Sequence, residues 1–428
     1  MLSIIIGLIL LMALAYLGWS IIWVAPLAAG VVAILSGLNV FDTYTGTYME
    51  GLVGFVKNWF PIFLLGAVFG KLMEDTGSAR SVAKKVTQLI GKKRAILGVL
   101  IASALLTYGG VSLFVVVFAI YPIALELFRE ANVTRKLLVP TFALGAFTFT
   151  MTSMPGTPQI QNLIPMQYFH TSPTSGVIVG IVSTIVMAVG GYLWLAFRAK
   201  KFAQKNDVYT EPTHTSIPAQ TDEEETPNWL LSLIPLLVVV VLLNIVKMQA
   251  IYALLLGIIS IMVIHFKHYS KFISSINEGG KGSVMAILNT SAAVGFGAVI
   301  AIVPAFDHIT SWLLHVSSNP LVAEALSVQI MAIITGSASG GMGIALTTLG
   351  KTFYHVAQVT GLSPDALHRI AAVASGASIF PNNGALLTLL AVTGLSHKET
   401  YKDVFVVAFL IPTIALIIGI ILGAIGLV

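Results

Sequence analysis

The chain contains no cysteine, which excludes disulfide bonds and thiolate-ligated metal centres. Charge is also scarce, because only 10% of its 428 residues are Asp, Glu, Lys or Arg, whereas soluble domains carry about 25%. With 57% hydrophobic residues, the composition excludes an ordinary soluble protein and indicates a polytopic membrane protein. The net charge of +5 does not indicate nucleic-acid binding, since the basic residues fall in predicted loops that set the topology.

Long segments lack charged residues altogether. They cover residues 1–41, 95–125, 137–197, 282–306, 325–350, 370–397 and 404–428. Each is long enough to cross a bilayer, which requires roughly 20 apolar residues. We do not expect the first to be a cleaved signal peptide, because it lacks a basic N-terminal region and its apolar part is too long.

We predict an all-α membrane protein with ten crossings and two re-entrant hairpins. The crossings lie near 2–18, 21–38, 55–73, 137–168, 174–197, 229–246, 249–266, 284–305, 367–395 and 404–427, and the hairpins near 94–129 and 321–357. Each half, 1–197 and 229–428, then holds five crossings and one hairpin. Residues 198–228 are polar and proline-containing, and we interpret them as a cytoplasmic linker.

The positions of the basic residues support this topology. Of 23 basic residues, only Lys57, Lys247, Lys351 and Arg369 fall outside the predicted cytoplasmic segments. The same distribution places both termini outside and gives the two halves opposite orientations. Inverted repeats of this kind are typical of alternating-access transporters.

Each half contains two apolar segments that are interrupted near the middle. The interruptions of the first half are Tyr108-Gly109-Gly110-Val111-Ser112 and Thr150-Met151-Thr152-Ser153-Met154-Pro155-Gly156-Thr157-Pro158-Gln159. Those of the second half are Ser337-Ala338-Ser339-Gly340-Gly341 and Ser375-Gly376-Ala377-Ser378-Ile379-Phe380-Pro381-Asn382-Asn383-Gly384. Broken helices at matching positions of two halves indicate the binding site of a secondary transporter.

A broken helix exposes backbone groups that lipid cannot satisfy, so the breaks predict a polar cavity at mid-membrane. Half-helices that begin there direct N–H groups and their positive dipole ends into the cavity, which favours an anion. Hydroxyl and amide side chains add hydrogen bonds. The predicted substrate-binding residues are Gly109, Gly110, Ser112, Thr152, Ser153, Gly156, Thr157, Gln159, Gln161, Asn162, Ser337, Ser339, Gly340, Gly341, Ser378, Asn382 and Asn383. The alternative is that these small residues serve close helix packing.

Ionisable residues in the apolar segments are candidates for ion coupling. We predict Glu126, Asp307 and His315 as proton-coupling residues, with Glu324 a further acid near the start of the second hairpin. The scarcity of acids at mid-membrane also leaves sodium open as the coupling ion. The sequence predicts no cofactor and no metal site.

The motifs resemble those of the gluconate permease family, part of the ion-transporter superfamily. The resemblance rests on Gly109-Gly110-Val111-Ser112, on 154–162, and on the later Ser-Gly-Ala-Ser and Pro-Asn-Asn-Gly segments, and it extends over nearly the whole chain. It implies a bacterial inner-membrane symporter, usually proton-coupled, with inverted repeats, an elevator motion and a homodimer. The family transports gluconate, other sugar acids and short hydroxy acids such as 3-hydroxybutyrate, and this chain is closer to the short-acid branch.

Four classes of function remain to be compared. The first is a carrier for small organic anions such as 3-hydroxybutyrate, with gluconate or sodium-coupled carboxylate transport as alternatives. The second is a channel, because re-entrant half-helices also form selectivity filters. An enzyme is not expected, since the apolar core contains no nucleophile–base pair or metal set. A cation–proton antiporter would need carboxylates at the breaks, which here carry hydroxyls and amides.

Overall fold

The structure is a computed structural model that describes residues 2–17, 19–212, 227–304, 306, 319–381 and 383–428. Within these ranges it is helical and contains no strand, as expected of apolar segments in lipid, where a helix satisfies its own backbone. Several helices begin with a standard cap: Asn319 and Ser363 accept backbone N–H groups ahead of Pro320 and Pro364, each the first residue of its helix.

The first half contains ten helices. They are α1 (Leu2–Tyr16), α2 (Ile21–Leu35), α3 (Val40–Asp75), α4 (Ser78–Ile90), α5 (Ala95–Tyr108), α6 (Leu113–Glu130), α7 (Leu138–Phe142), α8 (Phe149–Thr152), α9 (Ile160–Phe169) and α10 (Val177–Gln204). A π-helical turn at Ala143–Phe147 joins α7 to α8. Helices α5 and α6 form the first hairpin, and α7 to α9 form the first broken crossing.

The described part of the second half repeats this order. It comprises α11 (Trp229–Asn244), α12 (Ala250–Ile264), α13 (Tyr269–Ala301), α14 (Pro320–Thr335), α15 (Ala338–Thr360), α16 (Pro364–Gly376), α17 (Gly384–Thr393) and α18 (His397–Ala424). Helices α14 and α15 form the second hairpin, and α16 and α17 form the second broken crossing.

Four helices are long and apolar enough to cross a membrane in one piece: α3, α10, α13 and α18. Two of them are longer than the sequence predicts. Helix α3 begins at Val40 rather than near 55, and α13 begins at Tyr269 rather than near 284. Helix α4, in a region interpreted as a loop, has its apolar residues on one face, so a charged amphipathic segment escaped a search for long apolar runs.

Packing relates matching helices of the two halves. Helix α3 packs along α13, and α10 packs along α18. Helix α2 packs on α13 as α12 packs on α3, while α9 contacts α15 as α17 contacts α6. One large hydrophobic core contains residues from helices of both halves, and a smaller core joins α1 and α2 to α13.

The surface of α10 carries an apolar stripe suited to lipid. Ile181, Ile185, Val189, Leu193 and Phe197 are spaced four residues apart and each is about half exposed. That spacing places them on one face of the helix. A continuous exposed apolar stripe is expected where the surrounding medium is hydrocarbon.

The predicted linker begins later than expected, because α10 continues to Gln204. The residues that follow α10 contact the end of α6 and the segment after it. Asp207 binds Lys136 and accepts from Thr134 at 3.0 Å, and Glu211 binds Arg129 at 2.8 Å. The hydrogen bond from Arg129 holds the pKa of Glu211 below its usual range. The rest of the linker, 213–226, lies outside the described residues.

Candidate functional site

The four interruptions seen in the sequence are four gaps between helices. They separate α5 from α6, α8 from α9, α14 from α15, and α16 from α17. A helix therefore begins at every gap, and its first N–H groups have no partner in a preceding turn. Helices α6, α9, α15 and α17 all exceed eight residues, so each contributes a positive dipole end.

The first hairpin gap packs tightly against the first broken crossing. Gly110 has a φ of +99°, and a Cβ there would lie 3.2 Å from Pro158. Gly156 has a φ of +82°, and a Cβ there would lie 2.5 Å from Asn244 Oδ1. Both positions need glycine for conformation and for space. Tyr108 adds a hydrogen bond from its hydroxyl to the Pro155 carbonyl at 3.1 Å.

In each half an amide side chain at the break of the broken crossing bonds to the hairpin gap. Gln159 Nε2 donates to the Thr107 carbonyl at 2.8 Å and to the Val111 carbonyl at 3.3 Å. Asn383 Nδ2 donates to the Gly336 carbonyl at 3.0 Å. These bonds connect the side chain at each break to backbone carbonyls at the hairpin gap.

The two broken crossings also meet each other. A Cβ at Gly376 would lie 2.9 Å from Thr152 Oγ1, and Arg369 reaches the Ser153 carbonyl at 3.4 Å. Together with the amide bonds, these contacts place the four gaps in one continuous row across the two halves. The structure thus brings together segments that are more than 200 residues apart in sequence.

Arg369, on α16, lies beside the first break and is fully buried. Its guanidinium donates to the carbonyls of Ser175, Pro173 and Ser153 and to Asn162 Oδ1, at 2.6–3.4 Å. Within the described part of the chain, no carboxylate forms a salt bridge with it. The hydrogen-bond acceptors of the guanidinium are therefore all neutral oxygens.

Sequence reasoning assigned Arg369 only to the outer side as a topology residue and did not recognise its position in the site. His368, beside it, contacts Thr171 Oγ1 at 2.7 Å and Asn162 Oδ1 at 3.2 Å. One signal was present: Arg369 directly precedes a charge-free run to residue 397 and lies within the helix that leads to a break.

Several predicted ligand residues form hydrogen bonds that shape the breaks. Thr152 donates to the Thr148 carbonyl at 2.9 Å, and Ser153 contacts Thr184 Oγ1 at 2.9 Å. Asn162 donates to the Thr157 and Pro173 carbonyls. Ser337 and Asn383 accept from backbone N–H groups as helix caps. Their polar atoms satisfy backbone that the broken helices expose.

Among the remaining predicted residues, two glycines serve close packing, and for the others substrate binding stays a prediction. A Cβ at Gly341 would lie 2.2 Å from Ala332, and one at Gly109 would lie 2.5 Å from Leu236, so both glycines serve close packing. Gly340 lies in the first turn of α15, against Ser337. Ser112 begins α6 without a side-chain cap bond, Thr157 and Ser378 are buried, and Ser339 contacts Thr290 at 3.4 Å. Asn382 lies outside the described residues.

Three buried polar atoms near the first break have no hydrogen-bond partner in the described part of the chain. They are Gln161 Oε1, Thr107 Oγ1 and Asn244 Oδ1. Thr107 and Asn244 belong to elements that contact the break, since Gln159 binds the Thr107 carbonyl and Asn244 Nδ2 binds the Gly156 carbonyl. Sequence reasoning found Gln161 but not the other two, although Asn244 is a rare amide in an apolar run. Buried groups of this kind are where a ligand can form hydrogen bonds.

The proton-coupling candidates have different positions. Glu126 is exposed on α6, in the turn before the helix ends at Glu130. Asp307 and His315 lie outside the described residues. Glu324, the further acid of the second hairpin, is fully buried in α14.

A cavity of about 300 Å³ lies away from the breaks, among Lys71, Asp75, Lys271, Ser274 and Glu278. Lys71 binds Asp75 at 2.9 Å and Glu278 at 3.3 Å. Because these charges neutralise one another, we assign no ligand to this cavity.

The sequence and the fold both match known transporters. The model of the family described as GntP family permease matches residues 1–425. The chain is 38% identical to an uncharacterized transporter, YxjC, of Bacillus subtilis, over 95% of each sequence. It is 25% identical to an uncharacterized transporter of Haemophilus influenzae, over 77% of this chain and 75% of the relative.

The YdaH transporter of Alcanivorax borkumensis, whose crystal structure was described as having an unusual topology, has a similar fold. Its TM-score is 0.59 at 16% identity, over 88% of this chain and 87% of that one. The apolar helices, the row of broken helices and the full-length family match lead to one conclusion: the chain belongs to the GntP permease family and is a membrane transporter, not an enzyme.

Proposed function

We propose that the protein is a secondary active transporter that couples a small hydroxy monocarboxylate, such as 3-hydroxybutyrate, to proton entry. The observation that carries this proposal is Arg369, a fully buried guanidinium that forms no salt bridge among the described residues. A charge within the membrane is costly, so an anion that neutralises it binds favourably. The gaps add four positive helix ends on the same row.

The residues around the first break suit a small substrate. Three polar atoms there have no partner among the described residues: Gln161 Oε1 and Asn244 Oδ1 can accept from a substrate hydroxyl, and the Thr107 hydroxyl can donate to a carboxylate oxygen. A sugar acid such as gluconate would bring many more hydroxyl groups that need partners in a dry site. The arrangement therefore favours a monocarboxylate with one hydroxyl.

We propose that the two halves are inverted repeats that work by an elevator motion. The repeated helix order and the matching pairs α3–α13 and α10–α18 support this assignment. The static part would comprise α1–α3 and α11–α13, and would form the interface of a homodimer. The hairpins and broken crossings would move together and carry the site. The protein would reside in the inner membrane with both termini outside.

Uptake of radiolabelled 3-hydroxybutyrate into proteoliposomes tests the function. We expect saturable accumulation under an imposed proton gradient and little competition from gluconate. Gln161→Ala should raise the KM about three- to tenfold, since a hydrogen bond contributes roughly 0.5–1.5 kcal/mol. Gln204→Ala, at an exposed position at the end of α10, is the matched control and should behave as the wild type.

The alternatives give different outcomes. Accumulation under a sodium gradient alone would show that sodium, not the proton, is the coupling ion. Strong competition from gluconate would show that the substrate is a sugar acid. Flux that never exceeds the electrochemical gradient and does not saturate would indicate a channel. Failure of folded protein to take up either acid would overturn the hydroxy-acid proposal.

A further inference from the structure

Glu324 is an unpaired acid in the interior of the protein. It lies one turn into α14, on the first arm of the second hairpin, and its side chain is completely buried. Both carboxyl oxygens lack a hydrogen-bond partner in the described part of the chain. Leu321, one turn earlier on the same face of α14, lies close to Gly423 and so marks that face as an interior one.

Three other acids form ion pairs with basic residues, whereas Glu324 forms none within the described part of the chain. Asp403 binds Arg198 at 2.6 Å, Asp75 binds Lys71, and Glu211 binds Arg129. A buried acid with neither a cation nor a hydrogen-bond donor is held in its neutral, protonated form. Glu324 therefore stores a proton in the conformation described.

The helices packed against α14 are α1, α15, α16 and α18. Their titratable groups do not supply a partner among the described residues. On α15, Lys351 and His355 are exposed, and on α16, Asp365 is half-buried while His368 and Arg369 are engaged with Asn162. The charged residues of α18 lie at its start, where Asp403 is paired with Arg198, and α1 has no Asp, Glu, Lys, Arg or His.

The same hairpin reaches the row of breaks. Its tip is bound through the Gly336 carbonyl to Asn383 and through Ser339 to Thr290 of α13. A movement of the tip relative to α13 thus moves α14 and the environment of Glu324. Glu324 and the gap at the tip therefore belong to the same hairpin.

We propose that Glu324 carries the coupled proton. Its carboxylate forms an O–H bond with a proton taken from the outer side, and the neutral acid is then buried as in this structure. When the hairpin moves and water reaches α14 from the inner side, the O–H bond breaks and the proton leaves. This inference rests on the proposed proton-coupled transport and assigns its coupling residue.

The test separates exchange from accumulation, because exchange of substrate across the membrane needs no net proton movement. Glu324→Gln keeps the shape of the neutral acid and cannot release a proton. We expect it to retain substrate exchange within about twofold and to lose at least tenfold in proton-driven accumulation. Glu50→Gln, at an exposed acid in the first turns of α3, is the matched control and should accumulate substrate as the wild type does.

The outcomes distinguish the two proposals. If the wild type accumulates substrate with protons and Glu324→Gln does so equally, the role of Glu324 is overturned while the transport function stands. If the wild type shows no proton-driven accumulation, both are overturned. Should Glu324→Gln not fold, Glu324→Asp replaces it: a displaced carboxyl should shift the pH at which accumulation is half-maximal, and an unshifted profile contradicts the assignment.

Discussion

At the scale of residues, Arg369 joins fold and function. It is held by neutral oxygens from three separate segments, among them the carbonyls of Ser153 and Ser175. All five N–H groups of the guanidinium are used in these bonds, and none of the acceptors is a carboxylate. The residue therefore holds the first break in place, and in the function that we propose its charge favours an anion in the site.

Replacing Arg369 tests its structural role. We expect Arg369→Ala to lower the free energy of unfolding by about 2–5 kcal/mol, since each buried acceptor left without a donor costs about 1–3 kcal/mol. Arg369→Lys retains the charge with fewer donors, so its free energy of unfolding should lie between those of Arg369→Ala and the wild type. Thermal unfolding in detergent measures the effect, with Arg94→Ala, at an exposed position, as the control. Equal stability of Arg369→Ala and the wild type would contradict this role.

Gly156 gives a second prediction at this scale. Its φ of +82° and the closeness of Asn244 Oδ1 leave no place for a methyl group. We expect Gly156→Ala to displace Asn244 and to reduce uptake at least tenfold, with about 1–2 kcal/mol of destabilisation from the left-handed backbone. Gly30→Ala has open space around its Cβ position and should leave uptake unchanged. The uptake kinetics of both variants in proteoliposomes measure this difference.

At the scale of elements, α10 and α18 are fastened by an ion pair near one end. Arg198 binds both oxygens of Asp403, at 2.6 and 3.1 Å, and Trp194 adds a third donor to the same carboxylate. Asp403 is almost fully buried, so its charge depends on these partners. The pair holds the last crossings of the two halves together.

Asp403→Asn should lower the free energy of unfolding by about 3–5 kcal/mol, because it leaves Arg198 buried without its counter-ion. The double change Arg198→Met with Asp403→Leu removes both charges and should recover most of that loss. Chemical denaturation of the purified variants measures the two differences. A double variant as unstable as Asp403→Asn would mean that the ion pair itself, not the unpaired charge, dominates.

At the scale of the whole molecule, the elevator motion that we propose requires the breaks to move past the long helices α3 and α13. A Cβ at Gly340 of the second hairpin would lie 3.6 Å from the Cβ of Ala293 on α13, which is a suitable separation for a disulfide. The chain has no cysteine, so an introduced pair forms without competing thiols.

We expect oxidised Gly340→Cys/Ala293→Cys to stop uptake and a reductant to restore it, because the bond joins a moving element to a static one. We propose that α18 moves with α16, since the two helices pack against each other. The pair Gly423→Cys/Ala366→Cys links them and should leave uptake unchanged when oxidised. Full uptake by the oxidised first pair would rule out relative movement of the hairpin tip and α13.

The sequence by itself determined the membrane environment, the helical class and the location of the four breaks, because lipid permits few backbone structures and small residues mark where a helix stops. It did not reveal α4, whose apolar residues lie on a single face, or the early starts of α3 and α13, where helices extend past their apolar parts. Those features depend on packing rather than on a run of apolar residues.

Only the tertiary structure decided which polar groups are free. Asn162, Ser337 and Asn383 look like ligands in sequence, yet their atoms are used by nearby backbone. In the sequence, Arg369 stands near the start of a predicted crossing and Glu324 near the start of the second hairpin, yet both are fully buried. Hydrogen-bond partners come from segments as far apart as Ser153 and Arg369, and no local pattern specifies such pairings.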